Sequence, residues 1–474
     1  MTFKDKYKQM MGAVEPDSEL LEAAKAGKRR KAAPLGRRMI PVTASILAAV
    51  LTAGMLLFTG SSHTGAGITA TAEAGVLAKA EPPAAASGTV SGAYIDSVRR
   101  LGVCVLPDLM GQNPGQNLMF SPLSLSLCAT MLMDGAAGNT YTQLKQALGY
   151  GGMSDSDILS NSRAAYEAGA LNQFVKLNIA NAVWYNKGFA INQSYLDSCT
   201  QHFYADLYQQ DFSDPKTVNS INKWCRDKTG GGIPQIIDRL DKNDVMALIN
   251  AVNFGGKWQK AFPVGNTKPQ SFQKADGAAV TCGFMSANDF NYKGTDAFQA
   301  VVLPYTADEM SMVLALPAAG KTPADLLADP ATIKQILNYN GWTYQEDYSS
   351  YESAMNSEPQ AANVTMPKFK FSGGADLTET MKSLGVTDAF GGAADFSKMD
   401  GKRDLYLSDI AQKTYIEVNE TEANACAVTW ELYSLTSAPL NPVDLTFNRP
   451  FIFAIVDKQG MPYFMGVVND PTQS

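Results

Sequence analysis

Only two histidines occur in the 474-residue chain, His63 and His202. Neither stands beside a nucleophile and an orienting acid in a motif of the kind that acyl-transfer enzymes use. No GxSxG, HExxH, GxxxxGK[ST] or strand-linked GxGxxG motif occurs. Because histidine is also the commonest metal ligand, the sequence predicts no enzyme, no metal site and no cofactor.

The six cysteines are widely spaced, without a CxxC pair: Cys104, Cys128, Cys199, Cys225, Cys282 and Cys426. A chain of this size forms a core without covalent cross-links. We therefore expect buried free thiols, with pairing of some of them as the alternative.

The segment with the most unusual pattern runs from Glu420 to Trp430. Its alternate positions Ala423, Ala425, Ala427 and Thr429 are small. Since strand side chains alternate between faces, this pattern predicts one uniformly small face that fits into a crowded sheet. The residues after it, Glu431 to Leu440, are mostly small or uncharged and indicate an exposed loop. An edge strand and loop without a special role is the alternative interpretation.

Charge divides the chain into a basic N-terminus and an acidic body. Residues 1–38 carry a net charge of +5, and the remainder carries −12. An acidic body argues against a nucleic-acid partner, because binding phosphate groups requires a basic surface.

An uncharged apolar run over residues 39–59 directly follows the basic residues. About 20 apolar residues cross a hydrocarbon core roughly 30 Å thick. The basic flank predicts a cytoplasmic N-terminal segment (1–38) and a single-pass signal anchor in the cell membrane (39–59). A cleaved secretory signal is the alternative. Residues 60–90, rich in Ala, Gly, Ser, Thr and Pro, predict a flexible stalk before an extracellular domain over 91–474.

Helix and strand signals alternate in this domain without a βαβ rhythm, which indicates the α+β class. Ser121-Pro122 predicts a helix start, and Lys216–Lys228 predicts a helix that ends at three glycines. Thr140 and Gln143 have the spacing of a capping box at the start of another helix. Strands are expected at Leu177–Trp184, Phe298–Leu303, Ser311–Leu316, Tyr415–Val418 and Phe451–Val456.

Eight stretches, in order along residues 95–474, resemble the motifs of the serpins, the serine protease inhibitor family. They are Asn117-Leu-Met-Phe-Ser121-Pro122-Leu-Ser124 with Gly135-Ala-Ala-Gly138-Asn-Thr140, Asn222-Lys-Trp224 through Ile233, Leu248-Ile-Asn250 through Phe262, Leu303-Pro-Tyr305, Met366-Pro-Lys368-Phe369, Phe447-Asn-Arg-Pro450-Phe451 and Phe464-Met-Gly466 through Pro471.

This resemblance implies a serpin fold with three β-sheets, about nine helices and an exposed reactive-centre loop near the C-terminus. It also implies that a protease attacks the loop and forms an acyl-enzyme. The cleaved loop then inserts into the main sheet and distorts the trapped protease. The small residues from Ala423 to Thr429 suit such an insertion, because bulk or charge at those positions would be costly in a packed core.

Three groups of residues match serpin positions. Glu422 replaces the glycine that the family prefers before the inserting stretch, and we expect it to slow insertion. Beneath the sheet, the family's Ser, Ser, Asn and His, called its shutter, correspond to Ser121, Ser124, Asn250 and Gln412. Where the loop first inserts, at the breach, the matching residues are Trp258, Lys368 and Glu420, with an expected Lys368–Glu420 ion pair.

The family spacing of about 17 residues from Glu420 makes Thr436–Ser437 the expected reactive bond. The neighbouring bonds Leu435–Thr436 and Ser437–Ala438 are the alternatives. No Lys or Arg lies within residues 430–445. This argues against trypsin-like targets and favours elastase-like or subtilisin-like ones, with a chymotrypsin-like target if Leu435 is the specificity residue.

The resulting hypothesis is a monomeric, membrane-anchored, bacterial serpin that forms a covalent complex with a serine protease outside the cell. The alternative is a non-inhibitory serpin that acts as a binding or adhesion domain.

Overall fold

The computed structural model of the chain describes residues 75–342, 360–420 and 441–473. The strands within these ranges are β1 (Val76–Ala78), β2 (Leu118–Phe120), β3 (Val175–Asn186), β4 (Ala205–Gln210), β5 (Met246–Gly256), β6 (Lys268–Gln273), β7 (Ala279–Gly294), β8 (Phe298–Pro304), β9 (Met310–Pro317), β10 (Ala361–Pro367), β11 (Phe369–Asp376), β12 (Leu407–Val418), β13 (Val443–Thr446), β14 (Phe451–Asp457) and β15 (Pro462–Val468).

The α-helices in the described ranges are α1 (Gly92–Gln112), α2 (Pro122–Gly135), α3 (Gly138–Ala147), α4 (Asp155–Ala170), α5 (Gln193–Phe203), α6 (Pro215–Lys228), α7 (Pro323–Leu327), α8 (Pro330–Leu337), α9 (Thr378–Ser383) and α10 (Ser397–Asp400). The predicted helix starts and strands are confirmed for α2, α6, β3, β8, β9, β12 and β14. The predicted capping box is wrong: α3 begins at Gly138, and the Thr140 hydroxyl accepts the amide of Asp395 (3.0 Å) instead.

Six strands form the main sheet in the order β1-β4-β3-β5-β12-β11. Strands β3 and β5 are antiparallel over eleven residue pairs, from Val175–Gly256 to Tyr185–Met246. Strands β5 and β12 are parallel neighbours. The parallel pair β5–β12 therefore lies between the antiparallel pairs β3–β5 and β12–β11, and β3 and β4 form a second parallel pair in this sheet.

The other two sheets share the 16-residue strand β7. Residues 279–291 of β7 pair with β6 and β10, and residues 292–294 pair with β8. The strand order β8-β9-β14-β15-β2 completes one sheet, and β13 extends the other beside β10. Three sheets, two of them joined through β7, agree with the fold expected from the serpin resemblance.

Helix α2 lies between the main sheet and the sheet that contains β15. Of its fourteen residues, all except Asp134 are buried, as expected for a helix that is apolar on every side. The Ser121 hydroxyl caps the helix by accepting the amide of Ser124 (3.1 Å), and Pro122 occupies the first turn, where a missing N–H costs nothing. This cap fixes both serines directly beneath the main sheet.

The flexible stalk predicted for residues 60–90 is wrong over its second half. Strand β1 (Val76–Ala78) pairs with β4 and widens the main sheet by one strand. Beyond it, the amides of Ser87 and Ser91 donate to the carboxylate of Glu167 (2.5 Å) and the side-chain oxygen of Asn161 (2.6 Å). Residues 76–91 are thus bound along the domain, because backbone amides find acceptors that composition alone does not reveal.

Among the described residues, no helix has both the length and the apolar character needed to cross a bilayer. The predicted cytoplasmic segment (1–38) and signal anchor (39–59) lie outside the described residues, as does the first part of the stalk. The membrane anchor remains a prediction.

Candidate functional site

The centre of the candidate site is the contact between β5 and β12, which we call the seam. The two strands run parallel and pair directly from Leu407–Met246 to Tyr415–Asn253, with no strand between them. Parallel neighbours lie about 4.8 Å apart. Any segment that inserts here must first double that spacing.

A row of amide side chains crosses the seam beneath the sheet. Asn181 on β3 is in register with Asn250 on β5, and Asn250 is in register with Gln412 on β12. The Asn250 amide donates to Asn181 Oδ1 (2.9 Å), and the Gln412 amide donates to Asn250 Oδ1 (3.0 Å). All three side chains are buried, so these hydrogen bonds have no competition from water.

The two serines of α2 complete this network. The Ser121 amide donates to Gln412 Oε1 (2.7 Å), and Gln412 Nε2 donates back to the Ser121 carbonyl (3.3 Å). Asn250 also donates to the Ser124 hydroxyl. The four residues predicted for the shutter therefore meet in one neutral hydrogen-bonded network, which holds β5, β12 and the start of α2 together.

At the end of the seam, Trp258 stacks on Tyr305, with ring centroids 4.7 Å apart. The Trp258 indole donates to the Asn419 carbonyl (2.9 Å), and the Phe262 amide donates to the Glu420 carbonyl (3.0 Å). These bonds fix the backbone just after β12, at the last described residues before the predicted loop.

Glu420 is also held through its side chain. Its carboxylate lies 3.2 Å from Lys368 Nζ, so the ion pair expected from the sequence is present. The Thr267 hydroxyl donates to the same carboxylate (2.7 Å). Burial raises the pKa of Glu420, but the hydrogen bonds from Thr267 and Lys368 outweigh that effect and leave the pKa below its usual value. Glu420 is therefore charged at neutral pH.

Strand β12 of the main sheet ends at Val418, and the next described strand, β13, pairs in parallel with β10 in a different sheet. Residues 421–440 lie outside the described residues. This range contains the predicted hinge (Glu422, Ala423, Ala425, Ala427 and Thr429) and the predicted reactive bond with its neighbours (Leu435, Thr436, Ser437 and Ala438). Those assignments remain predictions.

Two members of the site were missed from the sequence. Asn181 lies in β3 between Ala180 and Ala182, and an Asn among buried apolar residues of a strand was the available signal. Thr267 precedes β6 and shows no distinguishing pattern. The five described cysteines are free thiols, as expected, although Cys104 and Cys282 are only partly buried. No group of three metal-ligating side chains occurs among the described residues.

The sequence model of the Serpin (serine protease inhibitor) family matches residues 96–471. The chain belongs to the serpin family. Curated relatives include neuroserpin of Mus musculus, 31% identical over 408 residues that cover 82% of this chain and 94% of the relative. Another is Serpin B11 of Homo sapiens, 32% identical over 377 residues, with 74% and 92% coverage. The family is one of protease inhibitors rather than catalytic enzymes.

Solved structures agree with this assignment. The native-state crystal structure of tengpin, a thermophilic serpin, matches with a TM-score of 0.71 and 28% identity over 83% of this serpin and 97% of tengpin. Thyroxine-binding globulin in complex with thyroxine matches with a TM-score of 0.66 and 22% identity over 80% and 99% of the two chains. At that identity the second likeness shows the fold alone.

Proposed function

We propose that this serpin is an extracellular suicide-substrate inhibitor of serine proteases. The observation that supports the proposal best is the closed seam, formed by two parallel strands with the loop attached to the end of one of them. A serpin in this state has a vacant strand position at the centre of its main sheet. The 20-residue stretch 421–440 is the segment that would fill it.

Strand direction makes the seam suitable for this insertion. A segment that folds back after Glu420 runs antiparallel to β12 and, because β5 and β12 are parallel, antiparallel to β5 as well. Insertion would then replace one parallel ladder by two antiparallel ladders. Antiparallel pairing is slightly more stable per residue, and every new backbone donor and acceptor finds a partner.

The cost of insertion falls on contacts that the structure identifies. Separating β5 from β12 breaks the Gln412–Asn250 hydrogen bond, and moving residues 421–422 alters the contacts of Glu420. The small side chains Ala423, Ala425, Ala427 and Thr429 would reduce the steric cost within the opened sheet. The contacts that are broken on insertion would keep the sheet closed before cleavage, and the small side chains would allow the cleaved loop to insert.

The target follows from the loop sequence. Thr436–Ser437 is the proposed reactive bond, with Leu435 and Ala438 as its neighbours, and no Lys or Arg lies nearby. A protease whose specificity pocket accepts small or medium apolar residues, elastase-like or subtilisin-like, is therefore the proposed target. The apolar run 39–59 and its basic flank support a position on the outer face of a bacterial cell membrane.

The test is to mix the 71–474 chain with an elastase and with a subtilisin and to separate the products on a denaturing gel. The proposal expects a covalent complex with at least one protease, together with release of a C-terminal peptide whose mass identifies the cleaved bond. Residue 71 is the appropriate start, because the segment 76–91 belongs to the folded domain.

Loop cleavage that leaves both proteases fully active would contradict inhibition of these enzymes and favour the non-inhibitory alternative. A Thr429→Arg variant is the matched control. A bulky charge at an inserting position should abolish the covalent complex while leaving the loop cleavable, because a buried charge opposes insertion and not proteolysis.

A further inference from the structure

A cleft of about 680 Å³ lies among the C-terminal end of α1, the end of β6 and the start of α7. None of its lining residues belongs to the shutter, the breach or the predicted loop. Much of its wall is rigid and apolar, formed by Met110 and by four prolines: Pro107, Pro114, Pro323 and Pro450. Its volume lies within the range of about 300 to 1,000 Å³ typical of small-molecule sites.

The charge of the cleft is opposite to that of the domain around it. Its lining includes Lys274, Lys321 and Arg449 but neither Asp nor Glu. The chain beyond residue 38 carries a net charge of −12. A local excess of cations on an acidic protein favours an anionic ligand at this place.

Two of the three cations remain available to a ligand. Lys274 lies 3.4 Å from Asp276 and 3.8 Å from Asp470, so its charge is largely compensated. Arg449 is half-buried and donates to the Pro317 carbonyl (2.7 Å), but no carboxylate among the described residues forms an ion pair with it. Lys321 is exposed at the rim and forms no ion pair within that part of the chain, although its charge acts on Asp325 in α7.

We propose that this cleft binds a small amphipathic monoanion of the fatty-acid class. The alkyl chain would lie against Met110 and the prolines, and the carboxylate would contact Arg449 and Lys321. A guanidinium matches the planar carboxylate with two parallel donors, and Lys321 adds a mobile second charge.

The test uses decanoate and, as the ligand of opposite charge and the same chain length, decyltrimethylammonium. Calorimetric titration of the 71–474 chain should give one decanoate site, with affinity at least about tenfold higher than for the cation. Circular dichroism and cooperative unfolding establish that the chain and each variant are folded.

Two variants locate the site. Gly111 lines the cleft, and a β-carbon there would meet no atom within 4 Å, so Gly111→Leu adds an apolar side chain at the cleft wall without a clash and should weaken decanoate binding. Lys321→Glu reverses a rim charge and should weaken decanoate about tenfold or more, because one attraction becomes a repulsion. Lys242→Glu, an equally exposed reversal outside the cleft, is the matched control and should have no effect.

Equal affinities for the two amphiphiles, several weak sites, or decanoate binding unchanged by both Gly111→Leu and Lys321→Glu would each overturn the proposal. In that case the role of Arg449 is structural, as the donor of a hydrogen bond to the Pro317 carbonyl. Covalent inhibition of a protease is not part of this measurement, so its outcome is independent of the function proposed for the loop.

Discussion

Gln412 joins both sides of the seam to helix α2. It accepts from the Ser121 amide and donates to the Ser121 carbonyl and to Asn250 Oδ1. Because it carries no titratable proton, this network keeps the same hydrogen bonds across the physiological pH range. A histidine at this place would add a group that changes charge between pH 5 and 8.

Gln412→Ala should lower the free energy of unfolding by about 2 to 4 kcal/mol. The Ser121 amide and Asn250 Oδ1 would lose buried partners, and the shorter side chain would leave a cavity. Denaturant unfolding of the 71–474 chain measures the change. Lys370→Ala, exposed on the adjacent strand β11, is the control and should stay within about 0.5 kcal/mol. A loss below about 1 kcal/mol at Gln412 would contradict the role given to this network.

Glu422→Gly should raise the fraction of encounters that end in a covalent complex. Glycine moves through backbone conformations that a glutamate resists, and it removes a charge from the first part of the inserting segment. The molar ratio of inhibitor needed to abolish protease activity should fall towards one. Glu422→Ala separates the two effects, since it removes the charge alone. An unchanged ratio in both variants would mean that Glu422 does not limit insertion.

At the level of elements, the end of β12 is fixed by four groups from other parts of the chain: the Trp258 indole, the Phe262 amide, the Thr267 hydroxyl and Lys368 Nζ. They hold the backbone from which the loop departs. Loosening this end should therefore affect the first step of sheet opening more than the rest of the fold.

Glu420→Gln should destabilise the native sheet by up to about 1 kcal/mol at neutral pH, because Lys368 is partly exposed and its attraction is screened. The pKa of Glu420 is lowered in the folded state, so its stabilisation is present at neutral pH and disappears as pH falls through that lowered value. Unfolding measured from pH 7 to pH 3 should show a smaller loss in the variant than in the wild type. Glu417→Gln, which removes one exposed carboxylate from the same strand, is the matched control for the loss of a negative charge.

The position of these elements was readable from the sequence where the signals are local. Ser121-Pro122 marks the start of α2, and the period-two pattern marks β14. The family motifs then located four shutter residues and three breach residues. Asn181 and Thr267 were not identified from the sequence, because their roles depend on register and contact between strands that are far apart in the chain. No local pattern encodes such contacts.

At the scale of the whole molecule, residues 76–91 are part of the folded domain. The composition of residues 76–91 is that of a flexible linker, yet the Ser87 amide reaches a carboxylate 80 positions away, and the Ala80 amide reaches Asp206, 126 positions away. Such bonds use the backbone of the segment and the side chains of the domain. The segment's own side chains, which are all that composition measures, contribute little to them.

Glu167→Gln should release this segment. Burial raises the pKa of Glu167, but hydrogen bonds from Arg163, Ser87 and Tyr204 outweigh it and lower the pKa from 4.5 to about 2. That shift corresponds to up to about 3 kcal/mol of stability, present above pH 4.5 and lost as pH falls towards 2.

Hydrogen exchange at Ser87 and limited proteolysis of residues 76–91 measure the release. Both should increase in Glu167→Gln at pH 7, and in the wild type only under strongly acidic conditions. Glu81→Gln, an exposed acid in the same segment, should match the wild type. Equal protection of Ser87 in Glu167→Gln and wild type would show that the pairing of β1 and the hydrogen bonds to Asn161 and Asp206 hold the segment without Glu167.

The pairing of β1 with β4 also limits the number of residues between the folded domain and the proposed membrane span. With residue 59 as the proposed end of a membrane span, 16 residues (60–75) separate it in sequence from Val76, the first residue of β1. If the chain is anchored as proposed, so short a connection would raise the effective concentration of the loop for a protease held in the same membrane, and would not change it for a freely diffusing protease. The proposed anchor would therefore direct inhibition towards proteases at the membrane that carries the serpin rather than towards those in the surrounding medium.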